Sequence, residues 1–175
     1  RIAEPIRPLS ADDLSPIMFP VGMVSGDGLA QLGKNGCAFL VGGPTQLSQR
    51  YRKPKTPSTQ AAFTETLEHC LSTYRTWAKE LAALGILYRQ IIVPEKSTVL
   101  PRLASLSRPI TPLLEEIERR LSREQWYVSA TQALRSMAEP ERGWPKYDSH
   151  PAPAGMRSLV LALIDTLDLT ASSTT

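Results

Sequence analysis

The chain has 175 residues, 42% of them hydrophobic and 21% charged, with a net charge of +3 and a pI near 9.0. That is enough for one globular domain with a core of its own, and no apolar run reaches the roughly 18–20 residues of a membrane span. Two cysteines, Cys37 and Cys70, are too few for a disulfide scaffold and show no CxxC spacing, which leaves free thiols as the simpler reading.

Taken in order, residues 1–35 are rich in Pro, Asp and Gly and read as an irregular lead-in, with one short strand inside PIMFPVGMV (16–24), broken by Pro20. The chain opens on Arg1 rather than Met, so the lack of a signal-like segment says nothing about compartment. CAFLVGG (37–43) is an apolar run ended by two glycines and predicts a buried strand and a turn. Residues 44–58 read as a surface loop carrying Arg50, Arg52, Lys53 and Lys55. That basic cluster could meet an anionic polymer, but a solvated loop is the commoner use of such a run. No signature of a nucleic-acid-binding module is present.

From Thr59 to Leu84, apolar residues fall at helical spacing through Phe63, Leu67, Cys70, Leu71, Tyr74, Trp77, Leu81 and Leu84. Ser58 or Thr59 can cap this helix and Gly85 can stop it. ILYRQIIVP (86–94) predicts a strand ended by proline. A second amphipathic helix is expected over 109–122, a short strand at WYV (126–128), a short helix in SATQALRSM (129–137), a loop over 138–153 and a last helix over 154–168. The remaining residues, 169–175, read as a frayed tail. Alternating strands and helices argue for an α/β domain over 36–168 with a small, mainly parallel sheet. Functional loops in such sheets lie at the carboxyl ends of strands, which singles out PEKSTVLP (94–101) and the segment ending YDSH (147–150).

The Asp148-x-His150 pair stands out in a chain with two histidines. An adjacent carboxylate can orient an imidazole and raise its basicity, as in a Ser-His-Asp site. Two other readings compete: part of a metal site, for which no third ligand cluster is evident, or a cap for the following helix.

The order of motifs bears on that choice. GKNGCAFLVGG (33–43), LGILYRQIIVPEK (84–96) and YDSHPAPAGMRSLVLAL (147–163) resemble, in order, three blocks of the alginate O-acetyltransferase family of SGNH-hydrolase-like proteins. The resemblance implies an SGNH-hydrolase-like three-layer α/β fold and acetyl transfer to or from hydroxyls of exopolysaccharide in the bacterial periplasm or cell envelope. It places Asp148 as the residue that orients the base, His150 as the base, and Lys96 at the lysine of a P-x-K block, either in a structural ion pair or in contact with substrate. Tyr147 and Trp144, with Tyr51, are candidates for stacking on sugar rings, although isolated aromatics more often serve plain packing.

The chain departs from the pattern at three points. Pro151 follows the histidine where the family has Trp, and Cys37 and Ala38 interrupt the first block. No Gly-Asp-Ser string occurs, and the nearest, SGDG (25–28), has glycine after Asp27. The readable strands are also fewer than a full SGNH sheet holds, so the domain reads as incomplete. The leading expectation is an O-acetyltransferase or carbohydrate esterase with Asp148 and His150 in place and its serine unassigned; Ser25, Ser97 and Ser149 are the internal candidates. The alternative is a non-catalytic carbohydrate-binding or assembly module, partnered by a polysaccharide and by another protein chain. No metal or cofactor is expected.

Overall fold

A computed structural model describes residues 20–43, 47–104 and 110–167. The expected tail over 169–175 and most of the lead-in lie outside these residues.

The first strands form a hairpin. β1 (Ala30–Leu32) pairs antiparallel with β2 (Ala38–Leu40), in a register that sets Gln31 opposite Phe39. Between them the chain reverses through Asn35 and Gly36, both at positive φ (56° and 68°), where asparagine and glycine carry the smallest steric cost. β1 falls in the stretch expected to be irregular. The strand expected at 16–24 is reduced, within its described part, to one bridge between Val24 and Gln31.

A single-turn helix, α1 (Leu47–Arg50), interrupts the basic loop, and α2 (Pro57–Ala83) follows. Its cap is Thr56 rather than Ser58 or Thr59. The Thr56 hydroxyl accepts from the Thr59 amide, the Thr59 hydroxyl accepts from the Thr56 amide, and Pro57 takes the first helical position, where its missing N–H costs nothing. The helix ends as expected at Gly85 (φ 71°): the Gly85 amide donates to Ala82 and the Ile86 amide to Leu81, which together satisfy two orphaned carbonyls.

The strand expected over 86–94 is short, β3 (Gln90–Ile91), and pairs in parallel with β4 (Tyr127–Val128). After β3 comes one helical turn, α3 (Lys96–Val99). α4 (Pro112–Leu121) is capped by Thr111 and α5 (Ala130–Arg135) by Ser129. A 3-10 turn at Pro140–Gly143 leads into the 144–152 loop, and α6 (Pro153–Ile164) closes the described chain. The architecture is therefore mixed α/β, with one antiparallel and one parallel pair of strands in separate two-stranded sheets. The expectation of a mainly parallel sheet is corrected: the hairpin turn at Asn35–Gly36 makes the first pair antiparallel, and neither β1 nor β2 joins β3.

Two hydrophobic clusters hold these elements. Leu67 and Leu71 of α2 pack with Ile117 and Leu121 of α4, flanked by Phe63, Cys70 and Tyr74. Beyond this length α2 buries Ala78, while Trp77 and Leu84 are exposed. The second cluster joins Cys37 and Phe39 to Val99, Leu100, Ala130, Leu134, Trp144 and Leu159, and it lies beneath the loop that carries Asp148 and His150. Cys37 and Cys70 are free thiols. Met156, Val160 and Ile164, spaced one turn apart on α6, are exposed.

Candidate functional site

The site is built from the inside out, starting at Lys96. After β3 the chain passes Pro94, Glu95 is extended (φ −67°, ψ 149°), and Lys96 opens the single turn of α3. Its side chain turns inward and is 3% exposed. A buried ammonium is costly unless its donors are satisfied. Here Nζ donates to the carbonyls of Ala38 (3.0 Å), Pro145 (2.6 Å), Lys146 (2.8 Å) and Asp148 (3.2 Å). Four acceptors for three hydrogens means that at least one is shared. The Phe39 ring adds its face, with its centroid 5.3 Å from Nζ. Lys96 thus ties the start of α3 to β2 and to the 145–148 backbone at once.

Other contacts fix the same loop. The Ala38 amide donates to the Lys146 carbonyl at 2.8 Å, so β2 continues pairing onto the loop. The Trp144 indole is buried, 4% exposed, and its Nε1 donates to the Ser149 carbonyl at 3.1 Å. Gly143 and Gly155 approach so closely that a Cβ on Gly155 would lie 2.6 Å from the Gly143 carbonyl oxygen. Only glycine lets the start of α6 settle against the 3-10 turn there.

Held this way, the loop presents Tyr147, Asp148 and His150 outward. Asp148 Oδ1 accepts from the His150 backbone amide at 2.9 Å and lies 2.8 Å from His150 Nδ1. Both bonds favour the ionised carboxyl, so Asp148 is held below its ordinary value of 3.8. A carboxylate only accepts hydrogen bonds, so Nδ1 carries the hydrogen and Nε2 of the neutral ring carries the lone pair. Nε2 has no hydrogen-bond partner among the described residues, and the His150 side chain is 86% exposed. The arrangement can therefore accept a proton at Nε2 from a group that approaches from outside.

The expected site residues divide sharply. Asp148, His150 and the exposed Tyr147 come together on one loop surface. Lys96 lies under that surface, spent on carbonyls rather than in an ion pair, and Trp144 belongs to the core. Neither presents its polar or aromatic group to a ligand outside, which corrects their expected substrate contacts; each acts by holding the loop. Tyr51 is likewise buried, its hydroxyl within hydrogen-bond distance of Ser97 (2.6 Å) and Thr98 (2.9 Å). The basic residues around it, Arg50, Arg52, Lys53 and Lys55, are exposed, as a solvated loop requires.

The candidate serines fare differently. The Ser25 hydroxyl accepts from the Ala30 amide at 2.9 Å and is also bonded to Asp27, which makes SGDG a turn stabiliser. Ser97 is 3% exposed and engaged by Tyr51. Ser149 sits between the dyad residues and borders a narrow crevice with Leu40, Glu95 and Ser97. None of the three hydroxyls is hydrogen-bonded to His150 among the described residues. Glu95, which sequence reasoning passed over, is half-buried in that crevice wall; burial raises its carboxyl above the ordinary 4.5, partly offset by Arg50. The only signal for it was its place next to Lys96 at a strand's carboxyl end.

No family model, curated protein or solved structure matches the chain. Among the described residues, no group of three or more His, Cys, Asp or Glu could hold a metal ion, and no helix is long and apolar enough to cross a membrane.

Proposed function

We propose that the chain is an SGNH-hydrolase-like domain that moves acetyl groups onto or off polysaccharide hydroxyls, in the periplasm or cell envelope, with His150 as general base and Asp148 as the residue that orients it. The observation that carries this reading is the 2.8 Å contact between His150 Nδ1 and Asp148 Oδ1, with Nε2 left open on an anchored loop. In the reaction, Nε2 takes the proton of a hydroxyl as its oxygen forms a bond to the acetyl carbonyl carbon. The protonated ring then returns that proton to the leaving oxygen as the old C–O bond breaks. Ionised Asp148 stabilises the imidazolium between the two steps.

A second reading has its own observation. Because no described serine hydroxyl bonds to His150, the domain either receives its nucleophile from another segment or chain, or it binds polysaccharide without turnover. The exposed stripe of Met156, Val160 and Ile164 on α6 supports a covering partner, since apolar surface of that kind is usually buried against something.

Hydrolysis of p-nitrophenyl acetate separates these readings. The catalytic one expects the rate to fall about 10²–10⁴-fold in His150→Ala, the range of general base catalysis, and a fluorophosphonate to label one serine. Rates equal in wild type and variant, with no labelling, would leave the binding reading.

A further inference from the structure

β3 is bonded along one side only. The Gln90 amide donates to the Trp126 carbonyl at 2.7 Å, and in a parallel ladder the bonds to one neighbour come from alternate residues. Arg89, Ile91 and Val93 therefore turn their main-chain groups away from β4. Val93 precedes Pro94, which keeps it extended. Among the described residues, none of these three amides has an acceptor, and the carbonyls of Arg89 and Val93 have no donor. The Ile91 carbonyl accepts from the Gln90 side-chain amide at 3.0 Å, a local donor standing where a neighbouring strand's amide would be. Pro94, which lacks an N–H, falls on the β4 side of the alternation and does not blunt this edge.

An open row of donors and acceptors at every second residue is a template for another strand. The register says which strand fits. A second copy related by a two-fold axis through Ile91 pairs antiparallel, with Ile91 opposite its mate and Arg89 opposite Val93. That register uses all three amides and all three carbonyls on each copy. It also keeps like charges apart, because each Arg89 faces a valine. The Arg89 guanidinium is already bonded to Thr166, through Nε to the hydroxyl at 3.0 Å and through Nη2 to the carbonyl at 2.6 Å. The surroundings are apolar. Leu84, Ile86 and Leu87 are exposed on the approach to β3. The Arg89–Thr166 bonds bring the last turn of α6, with exposed Leu161 and Ile164, to the same end of the strand. Across a two-fold axis such surface covers its own equivalent.

We infer that a second copy of this chain docks on the open edge of β3, joining two small parallel sheets into one of four strands in the order β4-β3-β3-β4. The inference uses neither Asp148 nor His150 and survives if the ester-transfer reading fails.

The test is sedimentation equilibrium of the full chain across the micromolar range, paired with amide hydrogen exchange. The mass should rise with concentration from 19.3 kDa toward twice that value. Exchange at Arg89, Ile91 and Val93 should slow in step, while the Gln90 amide, already bonded to Trp126, stays as it was. Val93→Pro removes an edge amide that no described residue uses and should leave a folded monomer. Val93→Arg sets arginine opposite arginine at both symmetric positions and should weaken association about tenfold, whereas Val93→Glu, facing Arg89, should keep it. The charge variants decide the matter should the proline variant fail to fold. A monomer throughout the range would overturn the inference, whether its three amides exchange fast, as an edge open to another protein's strand would, or slowly, as an edge covered by its own chain would. So would a dimer of equal strength in Val93→Arg and Val93→Glu.

Discussion

Lys96 Nζ donates to the main-chain oxygen of Asp148 at 3.2 Å, so the residue bonded to the histidine ring is itself held by a buried cation from the start of α3. The link is to backbone, not to the Asp148 carboxyl, which stays available to His150 on the outside. A positive charge is thereby used for architecture, while the outward-facing pair remains one carboxylate and one imidazole.

Lys96→Met tests that architecture. Methionine fills most of the space but leaves the carbonyls of Ala38, Pro145, Lys146 and Asp148 without their shared donor. Each buried acceptor left unpaired costs about 1–3 kcal/mol, and relaxation of the loop will recover part of it. We expect a loss of about 3 kcal/mol in urea unfolding. Any esterase activity should fall with it, although the dyad residues are untouched. Lys96→Arg should not rescue, because a planar guanidinium cannot reach converging carbonyls as a compact ammonium does.

The Asp148 carboxyl gives a prediction in pH. Its value is depressed by the hydrogen bonds from His150, so the folded loop favours the ionised form. A depressed carboxyl contributes its stabilisation above the unfolded value and loses it as pH falls through the folded one. The loop geometry should therefore persist unchanged through neutral and mildly acid pH and relax only below the ordinary 3.8. Titration of the Asp148 side-chain carbon by NMR should show a midpoint below that value, and His150→Ala should move it only part of the way back up, because the bond from the residue-150 backbone amide, the larger cause, remains. A midpoint unaffected by the substitution would mean that the contact does not form in solution.

Much of this was legible in the sequence, and the parts that were not have physical reasons. α2, α4 and α6 declare themselves because each keeps an apolar stripe at helical spacing, and such stripes mark helices whatever they pack against. The dyad was legible because Asp-x-His is a local pattern, closed by an Asx-type bond across two residues. Lys96, Trp144 and Tyr51 stood out, but the sequence left each between a structural role and contact with substrate. Their polar ends look outward-seeking in sequence, whereas here the partners of Tyr51 and Lys96 come from segments far along the chain, Ser97 and Ala38 among them, and that of Trp144 is a loop carbonyl five residues on, at Ser149. No local pattern encodes such partners. β1 was missed because AQL is three residues of weak strand propensity, held by its pairing with β2 rather than by its own preference.

Gly155→Ala probes how α6 supports the loop. The added methyl would meet the Gly143 carbonyl oxygen at 2.6 Å, a backbone atom with no rotamer to escape by. That same oxygen accepts from the Ala152 amide at 2.8 Å, so displacing it disturbs the approach to α6 as well. Overpacking of this kind costs about 1–3 kcal/mol. Thermal unfolding should register that loss, and the Trp144 indole proton, bonded to Ser149, should exchange faster with solvent. A variant as stable as wild type would show that the two backbones do not touch.

Thr131→Val should act in the opposite direction. The Thr131 hydroxyl is buried with no partner among the described residues, on a side chain 4% exposed. An unsatisfied buried hydroxyl costs about 1–3 kcal/mol relative to a group that needs none, and valine places a methyl in nearly the same volume. Thr131 is the second residue of α5, after the Ser129 cap and Ala130, and valine at that place leaves the cap bond from the Gln132 amide to the Ser129 hydroxyl intact. The free protein should therefore gain about 1 kcal/mol in urea unfolding. A destabilised variant would mean that the hydroxyl already has a partner in the protein.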